Sequence, residues 1–483
     1  MNKKLLFAVF CFFILLTIFS RNIPFFWDGT FFSSLALRFY GNGFNGFIAP
    51  LSNDTGGFPL YSAYLACAWK VFGKSLLVSH IAMLPFILGT AWEYLKLAKR
   101  WLNGSVLILA MLLLIIEPVF ITQSILMGYD VLVCYFFLLA LNALLDKRKT
   151  LFVTAIILLC MISVRGLMLA TALLLIDLRL NRGAGYSFLK NYIPALIFVL
   201  LWIFHHHSKT GWYIFSPERD HNAESFAGPK MILRQLIYIA WKNLDIGRIT
   251  LWLTLLVGYR YFLKKTKDGN QLLSLILIPL LTLSVFMCLI KNPIAPKYFM
   301  VVFLLLNIGG CLVIQHLEKR NTRLMIFSSI AISLVCGNFI LYPQRFGNTW
   351  DSTIKILPYF DAKNEMDHYI ETKNVTEYSF ATQFPLNAIA DPNTLVPFWV
   401  YRDLDSRPVE EWDYFLYSNV INTNRMADLE KIKNTWIKEK EIRTGQIILI
   451  LYRNPGSFRE TAPGLSLRDR GTTDTAVPAS AMP

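Results

Sequence analysis

Two aspartates near the start of the chain have the residue type and spacing for acid–base chemistry. Asp28 lies in Phe26-Trp27-Asp28-Gly29, just past the first apolar segment, and Asp54 follows in Asn53-Asp54-Thr55-Gly56-Gly57-Phe58-Pro59-Leu60. A carboxylate among aromatic residues at a membrane boundary is costly to desolvate, and desolvation raises its proton affinity and makes it a better base. Two such groups in one pocket suit a general base and a second acid that positions an acceptor or a divalent metal. Both could instead simply mark the polar side of an interface, with Asp28 capping a following helix. Trp27 and the Gly-Gly-Phe-Pro turn, however, supply walls that a plain connector does not need.

The elements that must position these acids follow from composition. The 483 residues are 55% hydrophobic and 16% charged, with a mean hydropathy of +0.45. A soluble chain of this length carries more charge. Apolar blocks at about 4–20, 75–95, 105–123, 130–145, 150–164, 166–178, 190–206, 248–263, 271–290, 298–317 and 324–342 predict a polytopic α-helical membrane protein of about eleven spans. The fifth and sixth, parted only by Val164-Arg165-Gly166, read as a tight hairpin or one long block. Met1-Asn2-Lys3-Lys4 before the first block imitates a secretory signal, but no small-residue cleavage site follows, so it reads as a retained helix.

The net charge of +15 is distributed by topology. Alternate short loops hold eighteen Lys and Arg on one side, from Lys3 to Arg323, and only Arg21, Arg165, Lys291 and Lys297 on the other. This asymmetry predicts a cytoplasmic N-terminus and argues for contact with membrane lipids rather than nucleic acid. A crossing by residues 58–73 would invert every later loop, so that segment, like 30–40, reads as an interfacial helix in a first outer loop spanning 21–74. Residues 343–455 alternate helix and strand (helix 362–373, strand 412–418, helix 425–440, strand 446–452), which predicts a small extracytoplasmic α/β domain. Residues 456–483 read as a disordered tail. The seven cysteines fall within apolar stretches and read as small core residues.

Other groups could join the two acids at the outer face. Asp130, in Met127-Gly128-Tyr129-Asp130, fits either a helix N-terminus or a third wall of the same cavity. Arg165, Lys297 (beside Tyr298) and Lys291 are outer-face cations that need a partner, either lipid headgroups or a phosphate carried on a lipid. His205, His206 and His207 form a run that suits an interface, with metal binding as the alternative.

An acid after the first helix, then Asp54-Thr55-Gly56-Gly57-Phe58-Pro59-Leu60-Tyr61 leading to Trp69-Lys70-Val71-Phe72-Gly73, resembles the first outer loop of GT-C-fold glycosyltransferases. The branch it resembles is family 39, the protein O-mannosyltransferase and aminoarabinose-transferase-like enzymes. Gly211-Trp212-Tyr213 and Lys297-Tyr298 are similar to bacterial members, and the likeness covers about residues 1–345. Gly29 stands where many members carry a second acid, and Gly57-Phe58 replace the usual His-Pro, so metal dependence does not carry over.

The resemblance implies a GT-C-like catalytic domain over 1–342 in the inner membrane of a bacterial cell. A sugar would pass from a polyprenyl phosphate to a hydroxyl of a glycan, lipid or protein. Asp28 would be the base, Asp54 would assist, and Arg165 and Lys297, with Lys291, would hold the donor phosphate. The alternatives are an O-antigen polymerase or ligase, which tends to place its large outer loop late, and a lipid or glycan flippase. A flippase should carry charged or broken-helix residues near mid-membrane.

Overall fold

The computed structural model describes residues 2–44, 47–48, 58–181, 187–213, 227–264, 266–290, 294–343, 349–372, 380–386, 402–421 and 425–456. They form two compact units, one of residues 1–361 with 388–399 and the other of 362–387 with 400–483.

The first unit is helical. Its apolar helices are α1 (Asn2–Ser20), α4 (Leu76–Ala98), α5 (Gly104–Ile116), α6 (Pro118–Ile125), α7 (Asp130–Leu145), α8 (Lys149–Cys160), α9 (Val164–Leu180), α10 (Ile193–Thr210), α12 (Ile249–Gly258), α13 (Lys267–Leu289), α14 (Met300–His316) and α15 (Arg320–Gly337). Each apolar block of the sequence is helical. Among the described residues four are long and apolar enough to cross a membrane: Lys3–Ser20, Leu76–Ala98, Lys267–Leu289 and Pro296–His316. Shorter apolar helices accompany them, as in a multi-pass membrane protein.

Local chemistry sets the ends. Ser75 caps α4 by accepting from the Val78 amide at 3.2 Å, and Thr266 caps α13 through the Gly269 amide at 3.0 Å. The block at 105–123 is not one straight helix, because Pro118 pushes Glu117 into an extended conformation (φ −64°, ψ 112°). The α5–α6 pair bends there by 50°. The fifth and sixth blocks resolve as a hairpin, α8–α9. Its turn is so close that a Cβ on Gly166 would stand 1.9 Å from the Leu159 carbonyl oxygen.

The segment between α1 and α4 supplies α2 (Asp28–Asn42) and α3 (Leu60–Phe72), which pack on each other. The Ser62 hydroxyl donates to the Phe32 carbonyl at 2.9 Å, and Tyr61 donates to the Met127 carbonyl at 2.7 Å. The loop helices are thereby tied to the turn that precedes Asp130. The amphipathic α11 (Pro229–Leu244) packs beside the single 3-10 turn Pro296–Phe299 that leads into α14.

The second unit carries a five-stranded sheet in the order β2-β1-β3-β5-β4, with β1 Phe380–Thr382, β2 Arg402–Asp403, β3 Tyr414–Ser418, β4 Ile437–Thr444 and β5 Ile447–Arg453. β1 runs parallel to β2 and β3, while β5 is antiparallel to β3 and β4. Its helices are α16 (Pro358–Thr372), within which the division falls, and α17 (Met426–Thr435). The helix expected over 425–440 therefore stops at Thr435, and residues 437–444 form a strand instead. The segment 349–361, read in the sequence with the α/β domain, packs into the helical unit through its turns at Trp350–Ser352 and Ile354–Ile356.

Candidate active site

Asp28 is the first residue of α2, and Lys297 sits in the 3-10 turn before α14. The Lys297 ammonium donates to Asp28 Oδ2 at 2.7 Å and lies 2.6 Å from Asp351 Oδ2. Lys297 is only 3% exposed and Asp351 only 6%, whereas Asp28 keeps 29% of its side-chain surface open. Asp28 is thus the member of this trio that a substrate can reach.

Beside the trio, Arg165 pairs with Asp130 at 2.5 Å. Its guanidinium lies between two aromatic faces, 4.7 Å from the Tyr129 ring centre and 4.1 Å from that of Tyr298. Asp28, Asp130 and Asp351 all act electrostatically on Lys297. The acids and cations singled out in the sequence at 28, 130, 165 and 297 therefore come together near Tyr298. Trp27 adjoins them through Phe26, at 5.5 Å between ring centres.

Asp351 had no signal in the sequence, because Trp350-Asp351-Ser352 lies in a stretch that reads as a polar domain. The structure fixes it from behind: the Gln123 side-chain amide, on α6, donates to the Asp351 carbonyl at 2.6 Å. A Cβ on Gly128 would stand 1.7 Å from Gln123 Oε1. Gly128→Ala is therefore expected to push Gln123 off Asp351 and to cost about 1–3 kcal/mol, as overpacking does, read as a lowered melting temperature of the purified protein.

A second polar layer continues from Asp351. Lys242 of α11 interacts with Asp245 and Asp351. Asp245 accepts from the Tyr342 hydroxyl and, at 2.7 Å, from the Ile246 amide. The Lys355 ammonium donates to the Ile340 carbonyl at 3.0 Å and stands 5.1 Å from the Trp350 ring centre. Arg248 donates to Glu117 in an ion pair with neither side chain exposed. Lys297 thus bridges Asp28 and Asp351, Arg165 pairs with Asp130 and Arg248 with Glu117, so each of these cations meets a carboxylate, as buried charge requires.

Burial pulls the Lys355 ammonium down to about 8, against the opposing attraction of Asp245. The unfolded chain then binds more protons than the folded one between about pH 8 and its ordinary value of 10.5. Folded-state stability gains with pH across that window. Melting curves of wild type and Lys355→Met, taken from pH 7 to 10, should shift relative to each other in favour of wild type as pH rises above about 8.

Among the described residues, seven non-glycine positions have positive φ. Trp27 (φ 55°), Met127 (φ 54°) and Thr349 (φ 49°) each precede one of the three carboxylates by one to three residues, and Ile246 (φ 56°) follows Asp245. Strained backbone concentrates where surrounding packing over-determines it, commonly at functional sites.

The remaining candidates separate from this cluster or fall outside it. Asp54 and Lys291 lie outside the described residues. The consecutive histidines point about 100° apart around the end of α10. The His206 ring lies 3.1 Å from the Trp212 carbonyl through Nδ1, and His207 stacks on Tyr213 at 4.1 Å. Among the described residues no three His, Cys, Asp or Glu side chains form a group that could hold a metal ion.

No family model matches the chain, and no curated protein matches its sequence. Its structure is similar to the crystal structure of ArnT from Cupriavidus metallidurans bound to undecaprenyl phosphate, with a TM-score of 0.53 at 10% identity, covering 93% of this chain and 98% of that one. It is also similar to the apo structure of the same protein, with a TM-score of 0.52 at 12% identity over 91% and 96% of the two chains. The chain shares the fold of these two structures.

Proposed function

We propose that the protein is a membrane glycosyltransferase that moves a sugar from a polyprenyl phosphate to an acceptor hydroxyl. The observation that carries this is Asp28, the open carboxylate of an otherwise buried charge cluster, in a chain sharing its fold with a protein captured with undecaprenyl phosphate. Asp28 takes the proton of the acceptor hydroxyl, the oxygen attacks the anomeric carbon, and the bond from that carbon to the phosphate oxygen breaks. Polyprenyl phosphate leaves with the electron pair, and a single displacement inverts the anomeric centre.

Lys297 fixes the orientation of the Asp28 carboxylate through Oδ2. It also supplies positive charge where the leaving phosphate gains negative charge. Arg165 is engaged by Asp130 and two tyrosine rings, so its contribution is to the field and to holding Tyr298. Lys291 and Asp54 complete the assignment as a further phosphate ligand and an assisting acid. The acceptor is a glycan, lipid or protein.

Purified protein should bind a fluorescent undecaprenyl phosphate competitively with the unlabelled phosphate but not with undecaprenol. Incubation with labelled polyprenyl-phosphate sugars and membrane acceptors should move label out of the lipid-phosphate fraction. Absence of both would sink the reading. Transfer is proposed at the outer face of the bacterial inner membrane, with a cytoplasmic N-terminus, so a reporter joined after residue 345 should be active only as an extracytoplasmic fusion.

A further inference from the structure

Carboxylates gathered near a reaction centre are the usual protein ligands of a divalent cation, which takes oxygen ligands at roughly 2.0–2.2 Å in a near-octahedral shell. Here the residues do not fit one. The position between Asp28 and Asp351 is filled by the Lys297 ammonium, 2.7 Å from one carboxylate and 2.6 Å from the other. The third carboxylate, Asp130, is spoken for by Arg165 at 2.5 Å. A divalent ion would have to expel a lysine that is 3% exposed, or stand beside it with its charge uncompensated.

Lys297 is also poorly placed to swing away. It belongs to a tight turn whose Pro296, Lys297 and Phe299 are all buried, and the Tyr298 amide is pinned to the Ala295 carbonyl at 3.2 Å. Asp351 is held in turn by Gln123 and by the Ser352 hydroxyl at 3.1 Å.

We propose that the Lys297 ammonium is the built-in cation of this site, holding Asp28 and Asp351 where another enzyme would use a divalent metal, and that the cluster takes up no metal while Lys297 is present. This deepens the transferase reading, on which its catalytic meaning rests, but metal uptake can be measured whether or not any sugar is transferred.

The test is a Mn²⁺ titration of full-length protein in detergent after dialysis against EDTA, followed by electron paramagnetic resonance. Wild type should take up no Mn²⁺ in a manner sensitive to Asp351→Asn. Lys297→Ala should acquire one Mn²⁺ site, lost again in the Lys297→Ala/Asp351→Asn double variant, with folding of each variant checked by its melting curve. Transfer by wild type should be the same with EDTA as without it. Wild-type Mn²⁺ binding abolished by Asp351→Asn would overturn the proposal. So would a folded Lys297→Ala protein that takes up no Mn²⁺, or transfer that is lost in EDTA and restored by Mn²⁺. A preparation with no transferase activity at all would instead count against the transferase reading and leave the titration to decide this one.

Discussion

Replacing Asp28 by asparagine is expected to lower the transfer rate by about 10²–10⁴-fold, the usual contribution of a positioned general base. The substitution keeps the shape of the side chain and an oxygen for Lys297, so the α2 N-terminus should hold. Lys297 also retains Asp351 at 2.6 Å, and its charge is not stranded. Loss of activity should therefore appear without a matching fall in melting temperature. Asp28→Glu should recover part of the rate, because the base is restored although displaced by one methylene. The measurement is the initial rate of sugar release from a polyprenyl-phosphate sugar per unit of folded protein. A well-folded Asp28→Asn that transfers at the wild-type rate would remove Asp28 from the mechanism.

Asp28 and Lys297 were legible because each contradicts its surroundings, an acid among Phe26 and Trp27 and a cation on the loops that carry few. Their pairing was not legible, since 269 residues separate them and only packing brings α2 to the turn before α14. Asp351 contradicts nothing nearby. Its place is decided by Gln123, 228 residues away, and no local pattern encodes that hydrogen bond.

The helices follow from apolar runs, but the run at 105–123 stays apolar on both sides of Glu117-Pro118, so its hydropathy hides the 50° bend that Pro118 imposes. The strand β4 was hidden differently. Lys438-Glu439-Lys440-Glu441 is built of good helix formers, and pairing with the apolar β5 overrides that preference.

The largest effect on stability is expected at Glu117 and Arg248. The pair is fully buried, and the Arg248 guanidinium also lies 3.6 Å from the centre of the Phe303 ring and donates to the Asp245 carbonyl at 3.3 Å. Removing one member strands the other charge in a dry interior, at a cost of about 3–5 kcal/mol. Arg248→Met and Glu117→Leu should each lower the melting temperature sharply. The double variant should recover much of the loss, because no charge is left uncompensated.

Recovery should be incomplete for a local reason. Glu117 Oε1 also accepts from the Val119 amide at 3.4 Å and caps α6. Without that cap the helix carrying Gln123 loosens, and with it the support of Asp351. The double variant is thus expected to melt below wild type, though well above either single variant, and to transfer sugar more slowly than wild type. Melting curves and transfer rates on the four proteins of the cycle separate the two contributions. Singles no less stable than the double would show that the buried charges are relieved by some other group.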